Sequence, residues 1–283
     1  MGVRRSERRQ SGNNRRRTGL NRIGVIGFGT MGEAIIRGLR AQDATVEAAI
    51  IERSAERRLV ADGMQGVTDM SDHTDRFASF AELVVLAVKP QDLESVARKI
   101  GSVLSGKNVI SILAGTSVER LTTRLPNARF VRFMPNLAAS IGQAAVGVAI
   151  PADTNAAFRN DALLVARAIG TPFEIPERLL AAFTGISGSG IAFVFSFIHA
   201  LALGGTKAGI TYEESLAIAL QVLRGAGSLA EQTALNPQVL LSKVISPAGT
   251  TIEGIRTLEH GGFTACVMDA VAAAARRADE LEV

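Results

Sequence analysis

Gly27-Phe28-Gly29-Thr30-Met31-Gly32 spells G-x-G-x-x-G. Alone the pattern is weak. Here it follows an apolar strand-like run and opens a helical one, and a second strand-like run ends at Glu52, 20 residues after Gly32. In that setting each residue type has a task. Gly27 permits a tight turn, Gly29 lets a phosphate approach bare backbone, and Gly32 lets the helix pack on the strand. Phe28, Thr30 and Met31 complete the loop. Free N–H groups and the positive end of the helix dipole then face a pyrophosphate. A glycine-rich turn with no ligand is the plain alternative.

Which dinucleotide binds is read at Ile51-Glu52-Arg53-Ser54. Glu52 can accept from a ribose 2′-hydroxyl, which favours NADH. Arg53 and Ser54, with Arg57 and Arg58 behind them, can hold a 2′-phosphate. Four donors against one carboxylate make NADPH the expectation, with NADH the alternative. Three further strand ends should reach the same crevice: Val88-Lys89-Pro90, Ala114-Gly115-Thr116 and Met134-Pro135-Asn136. Val88, Lys89, Pro90 and Asn136 are therefore candidate ribose and nicotinamide contacts. Alternatively, the prolines merely end strands.

Two motifs mark the second half. Ser246-Pro247-Ala248-Gly249-Thr250-Thr251 precedes a helical run. Its main-chain N–H groups at Gly249, Thr250 and Thr251 can point at an anion, and a carboxylate there gains roughly 0.3–1 kcal/mol. A capped helix start without a ligand is the alternative. The other motif is Thr184-Gly185-Ile186-Ser187-Gly188-Ser189-Gly190.

The elements that must position these residues are legible in outline. Ile23–Gly27, Val46–Glu52, Leu83–Val88, Asn108–Leu113 and Arg129–Met134 read as strands, Ala144–Ile150 as a further one, and Pro172–Ile175 as a short closing segment. Helices are expected at Met31–Leu39, from Ser54, Gln91 and Ser117, and over Asp153–Ile169 with Asp153 as N-cap. Alternation of this kind predicts a parallel, doubly wound α/β sheet. After Pro176 the strand-like runs stop. Helices are expected over Leu179–Leu203, broken at the Ser187–Gly190 knot, then Tyr212–Leu235, a short apolar run Val239–Ile245, Thr250–Leu258 and Thr264–Leu281. The expected organisation is a basic tail over 1–21, a dinucleotide-binding domain over 22–175 and an all-α domain over 176–283 for substrate and dimerisation. Apolar residues on more than one helix face predict a homo-oligomer, at least a dimer.

The bulk numbers set limits. The net charge is +4, yet residues 1–22 hold eight arginines and one acid; the remainder, 23 basic and 26 acidic side chains, balances at −3. The basic character thus belongs to the tail. A solvated extension, or a start codon placed too early, is the expected reading. Nucleic-acid contact, an acid-poor transit peptide and acylation at Gly2 are the other readings. The folded body predicts no specific nucleic-acid partner. The longest apolar run, Ile191–Leu203, is interrupted by Ser196 and His199, so a buried helix is expected and no membrane span. A single cysteine, Cys266, excludes an internal disulfide and fits a reducing, cytoplasmic setting; it is expected in the core. With three scattered histidines, no metal site is expected.

Taken together, Gly27–Gly32, Ala87-Val88-Lys89-Pro90, Arg132-Phe133-Met134-Pro135-Asn136, Ser187–Gly190 and Ser246–Thr251 resemble pyrroline-5-carboxylate reductases, in the right order across about residues 22–282. The resemblance implies reduction of 1-pyrroline-5-carboxylate to proline with NAD(P)H by an oligomer whose helical domains interlock. It also implies that backbone around Gly249–Thr251 holds the substrate carboxylate and that Thr251 hydrogen-bonds the ring nitrogen. Ser187, Ser246, Ala248 and Thr250 follow as further substrate contacts. Four departures bear on which cyclic imine acid is reduced: Ile191 and Phe193 replace the family's proline and tyrosine after the serine-glycine motif, Ala181 replaces an aspartate, and Ala248 replaces a glycine. A β-hydroxyacid dehydrogenase would place a lysine soon after Gly190, and none appears before Lys207. A non-catalytic dinucleotide-binding protein is the remaining alternative.

Overall fold

The computed structural model describes residues 19–282. The tail arginines before residue 19 lie outside the described residues. Arg22 does not belong with them: it opens the first strand and pairs with Glu82 at 3.1 Å.

The described residues divide into two compact units: 19–133 with 138–174, and 134–137 with 175–282. In the first, β1 (Arg22–Ile26), α1 (Thr30–Gln42), β2 (Glu47–Ile51), α2 (Ala55–Asp62), β3 (Val67–Asp69) and α3 (Thr74–Phe80) lead to β4 (Leu83–Leu86). There follow α4 (Leu93–Ile100), β5 (Asn108–Ser111), α5 (Val118–Arg124), β6 (Arg129–Met134), β7 (Ala144–Ala149), α6 (Ala156–Ile169) and β8 (Gly170–Glu174). The strands form one sheet in the order β3-β2-β1-β4-β5-β6-β7-β8. Pairing is parallel from β3 to β6 and between β7 and β8.

The continuous apolar strands follow from burial on both faces. Ile50, Val25, Val85, Ile110 and Val131 stand in register and pack on one side with α1 and α6. Ala49, Val84, Val109 and Phe130 point to the other side, against residues of α3, α4 and α5. Gly24 completes that second row, and its missing side chain is required, since a Cβ would lie 2.5 Å from the Phe77 ring. Burying each such Val or Ile stabilises by about 1.5–3 kcal/mol. The strand order reverses direction beside β1, so the loop after β1 opens at the switch point where ligands bind in such sheets.

Two elements escaped the sequence reading, β3 and α3, because three residues (Val-Thr-Asp) and a seven-residue helix are too short to show a period. The N-cap of α6 is Asn155, not Asp153: the Asn155 side chain accepts from the Phe158 amide at 2.9 Å, while Pro151 to Thr154 forms a turn. Several strands end earlier than expected. β4 stops at Leu86, leaving Val88 in the following loop.

The second unit is helical: α7 (Leu180–Phe183), α8 (Gly190–Lys207), α9 (Tyr212–Thr233), α10 (Pro237–Val244), α11 (Thr250–His260) and α12 (Phe263–Glu280). The Gly/Ser knot does not break the first of these. Thr184–Gly188 forms a π-turn that carries the helix through, with the Ser189 amide bonded to the Thr184 carbonyl at 2.8 Å. The result is a run, Glu177–Lys207, long and apolar enough to cross a membrane by length and composition, longer than the 13-residue stretch seen in the sequence. Nor is it buried within the chain. Only Gly190, Ile198 and Ala202 of α8 are buried, and α10, α11 and α12 have no buried residue. Cys266, expected in the core, is exposed for the same reason. These helices are apolar on faces that the described residues leave uncovered, including Phe195, Val222, Val267 and Met268.

Candidate active site

The loop after β1 is held by its own geometry. Gly27 has φ +94 and its amide donates to the Ile51 carbonyl at 2.9 Å. A Cβ there would meet the Ala87 backbone at 2.7 Å, so the residue must be glycine on two counts. At Gly32 a Cβ would lie 2.3 Å from the Gly27 carbonyl oxygen, which is the close helix–strand packing the motif requires. Gly29 differs: a Cβ there would meet nothing within 4 Å. It is the N-cap of α1, with extended backbone (φ −80) and no side-chain cap. The first amides of α1, from Thr30 and Met31, have no partner within the helix and follow a bare residue with open space at its Cβ position, which suits the close approach of a pyrophosphate.

Phe28 is engaged elsewhere. Its ring is buried in the core, its amide donates to the Glu52 carboxylate at 2.6 Å, and its carbonyl accepts from the Arg57 guanidinium at 2.7 Å. The other Glu52 oxygen accepts from the Ser54 amide at 2.8 Å. Glu52 thus clamps the glycine loop to the end of β2. Its position 20 residues beyond Gly32 was visible in the sequence, but the clamp was not.

The proposed phosphate donors have partners. Arg57 pairs with Glu33 at 2.6 Å and Arg53 with Asp92 at 2.8 Å. Arg58 lies between Asp69 and Asp72, both at 2.5 Å. The Ser54 hydroxyl caps α2 by accepting from the Arg57 amide. Burial opposes ionisation of Glu33, but hydrogen bonds from Arg57 and Arg37 outweigh it and hold the carboxyl below its ordinary range. Asp69 is likewise held low: burial opposes its charge, and the bonds from Ser71 and Arg58 prevail. Those two aspartates raise the pKa of Arg58.

Among the other strand-end candidates, Val88 is half-buried and Lys89 and Pro90 are exposed. Lys89 precedes a single 3₁₀ turn, Pro90–Asp92, which delivers Asp92 to Arg53.

Within the helical unit, Asn136 and Ser187 come together: the Asn136 side-chain amide donates to the Ser187 carbonyl at 3.3 Å. The Ser187 hydroxyl is buried without a hydrogen-bond partner among the described residues. Gly185 in the same π-turn packs under α12, where a Cβ would meet the Val271 carbonyl at 2.7 Å.

The Ser246–Thr251 segment starts α11 as expected, with one revision. The Gly249 amide donates to the Ser246 carbonyl at 3.1 Å and closes the turn, so it does not face outward. The donors available to an anion are the first-turn amides of Thr250, Thr251 and Ile252, the last not foreseen. Gly249 is the N-cap, again extended (φ −80) and without a side-chain cap. A Cβ on it would strike the Ser246 hydroxyl at 2.3 Å. Ala248 stands at φ +55, in the left-handed region, where a Cβ costs roughly 1–2 kcal/mol. This explains why glycine suits the position better. Thr251 is half-buried, whereas Ser246, Ala248 and Thr250 are exposed.

Comparison with known proteins adds independent evidence. Residues 177–281 match the family model for pyrroline-5-carboxylate reductase dimerisation. Residues 22–115 match that for NADP oxidoreductase, coenzyme F420-dependent. A pyrroline-5-carboxylate reductase from Aquifex aeolicus is 36% identical over 261 residues, covering 92% of this chain and 97% of that protein. The solved pyrroline-5-carboxylate reductase from Coxiella burnetii superposes with a TM-score of 0.85 at 30% identity, covering 92% of this chain and 98% of that one. The Plasmodium falciparum pyrroline carboxylate reductase, solved with NADP bound, gives 0.82 at 27% identity, covering 93% and 98%. A largely parallel sheet with a glycine-rich loop at its switch point, a helical second unit and similarity over 92% of the chain agree: this chain belongs to the pyrroline-5-carboxylate reductase family.

Proposed function

We propose that this protein reduces 1-pyrroline-5-carboxylate to L-proline with NAD(P)H, as a homo-oligomer of at least two chains. The observation that carries the reading is a shared device at the starts of α1 and α11. Each has an extended glycine N-cap with no side-chain cap, and so offers unsatisfied amides to an anion. The first suits a dinucleotide pyrophosphate, the second a small carboxylate. We assign residues 22–175 to the dinucleotide and 176–283 to substrate and dimerisation.

Reduction adds a hydride to the ring carbon of C=N and a proton to its nitrogen. A nicotinamide held at the α1 N-terminus would supply the hydride. The chain supplies position, because the reacting atoms must stand ~3–3.5 Å apart. The α11 amides anchor the substrate carboxylate, and the half-buried Thr251 orients the ring nitrogen through its hydroxyl. A threonine hydroxyl is a weak acid, so it orients the nitrogen or relays a proton from water. Ser187, with its unpartnered hydroxyl, and Ser246 are secondary substrate contacts.

The test is NAD(P)H oxidation with pyrroline-5-carboxylate, pyrroline-2-carboxylate and piperideine carboxylates offered in parallel. The highest kcat/KM is expected with pyrroline-5-carboxylate. Because Phe193 and Ala248 depart from the family pattern, a higher value with another ring would reassign the substrate. Dinucleotide binding without turnover of any imine would remove the enzymatic reading.

A further inference from the structure

The acids and arginines at the end of β2 bear on which dinucleotide is used. Glu52 sits between the glycine loop and α2 with both carboxylate oxygens engaged, one by the Phe28 amide at 2.6 Å and one by the Ser54 amide at 2.8 Å. Each carboxylate oxygen has two acceptor sites, so each retains one for a further donor. A ribose hydroxyl can use it. A phosphate brings only acceptors and negative charge. Glu52 cannot swing aside freely either, because doing so would strip the Phe28 amide of its partner.

The neighbouring cations do not offset this charge. Arg58 is shared by Asp69 and Asp72, and Arg57 is divided between Glu33 and the Phe28 carbonyl. Arg53 is the most accessible of the three, and it too meets a carboxylate, that of Asp92. A 2′-phosphate entering here would share these arginines with the acids they already pair with, while lying beside the Glu52 carboxylate. The three arginines counted in the sequence are thus paired with acids before any cofactor arrives.

We infer that Glu52 determines dinucleotide choice in this enzyme and selects NADH over NADPH by accepting from the ribose 2′-hydroxyl and repelling a 2′-phosphate. The inference rests on the reading that the α1 N-terminus holds the dinucleotide, and it opposes the NADPH expectation drawn from the arginines.

The experiment compares Kd for NAD⁺ and NADP⁺ by calorimetry, together with kcat/KM for NADH and NADPH, in the wild-type enzyme and in Glu52→Gln. Glutamine keeps the shape and one acceptor but loses the charge. The wild type should bind NAD⁺ about tenfold or more tightly than NADP⁺, and Glu52→Gln should narrow that ratio by about tenfold, the scale of one charged hydrogen bond. NADP⁺ binding as tightly as NAD⁺ or more so in the wild type would overturn the inference while leaving the dinucleotide site intact. An unchanged ratio in Glu52→Gln would overturn the role of Glu52. Binding of neither dinucleotide would overturn the underlying site as well. Circular dichroism confirms that the variant is folded. Should it not fold, the wild-type ratio still decides the preference, and Glu52→Asp, which keeps the charge on a shorter arm, takes its place and should keep the NAD⁺ preference; losing it would count against the inference.

Discussion

The side-chain amide of Asn136 donates to the main-chain carbonyl of Ser187, in the π-turn that leads into α8, at 3.3 Å. The bond lies within the helical unit, to which Asn136 belongs although its segment begins at the last residue of strand β6. A π-turn leaves carbonyls without the usual helical partner, and an amide side chain is a suitable replacement. Asn136→Ala should therefore lower stability by about 1 kcal/mol, the net worth of one such bond. Urea denaturation measures this; a midpoint equal to wild type would show that the bond contributes nothing.

The glycines of the first loop should separate folding from binding. Gly27→Ala places a Cβ at positive φ and 2.7 Å from the Ala87 backbone, so a loss of at least about 2 kcal/mol is expected. Gly29→Ala meets open space and should cost only about 1 kcal/mol, the difference between glycine and alanine at an N-cap. It should nevertheless weaken dinucleotide binding about tenfold or more, because the methyl occupies the phosphate approach. Unchanged affinity in Gly29→Ala would place the dinucleotide elsewhere.

Thr251→Val removes one hydroxyl at nearly constant volume. Loss of an oriented hydrogen bond to the substrate nitrogen should lower kcat/KM by about ten- to a hundredfold, and Thr251→Ser should restore much of it. A valine variant with wild-type kcat/KM would remove Thr251 from the mechanism.

Glu33 and Asp69 both have carboxyl pKa values lowered by folding, by Arg57 and Arg37 in one case and by Ser71 and Arg58 in the other, against the opposing effect of burial. A lowered folded-state value means the unfolded chain binds protons first as pH falls. The stabilisation is complete above the ordinary values of 4.5 and 3.8 and is lost as pH drops below them through the folded-state values. Glu33→Gln should flatten the fall in stability between about pH 5 and pH 3 and change little above that range. Parallel pH–stability curves for wild type and variant would refute the assignment.

Val267 and Met268 lie exposed and adjacent on α12, within the segment that matches the family's dimerisation model. Val267→Asp combined with Met268→Asp should shift the protein to monomers in light scattering at micromolar concentration, with loss of activity, since burying two charges against an apolar partner is unfavourable. A fully active oligomer would move the interface off this face of α12.

Much of this could be read from residue order alone. Buried parallel strands such as β4 declare themselves because apolar side chains must fill both sides of the sheet, and the spacing of Gly27, Gly29 and Gly32 states how closely backbone must pass backbone. The helical character of the second half was equally plain. What periodicity could not supply was partner identity. Arg57 and Arg58 look like free cations in a string of letters, and only folding brings Glu33, Asp69 and Asp72 against them. Glu52 read as a ribose ligand, yet the sheet register also sets it beneath the Phe28 amide. The glycines around Ser187 suggested a helix break, but packing beneath α12 sustains a π-turn instead. Local pattern is written in the chain because it depends on neighbours in sequence. Ion pairs, clamps and uncovered apolar faces depend on residues distant in sequence, so only the tertiary structure decided them.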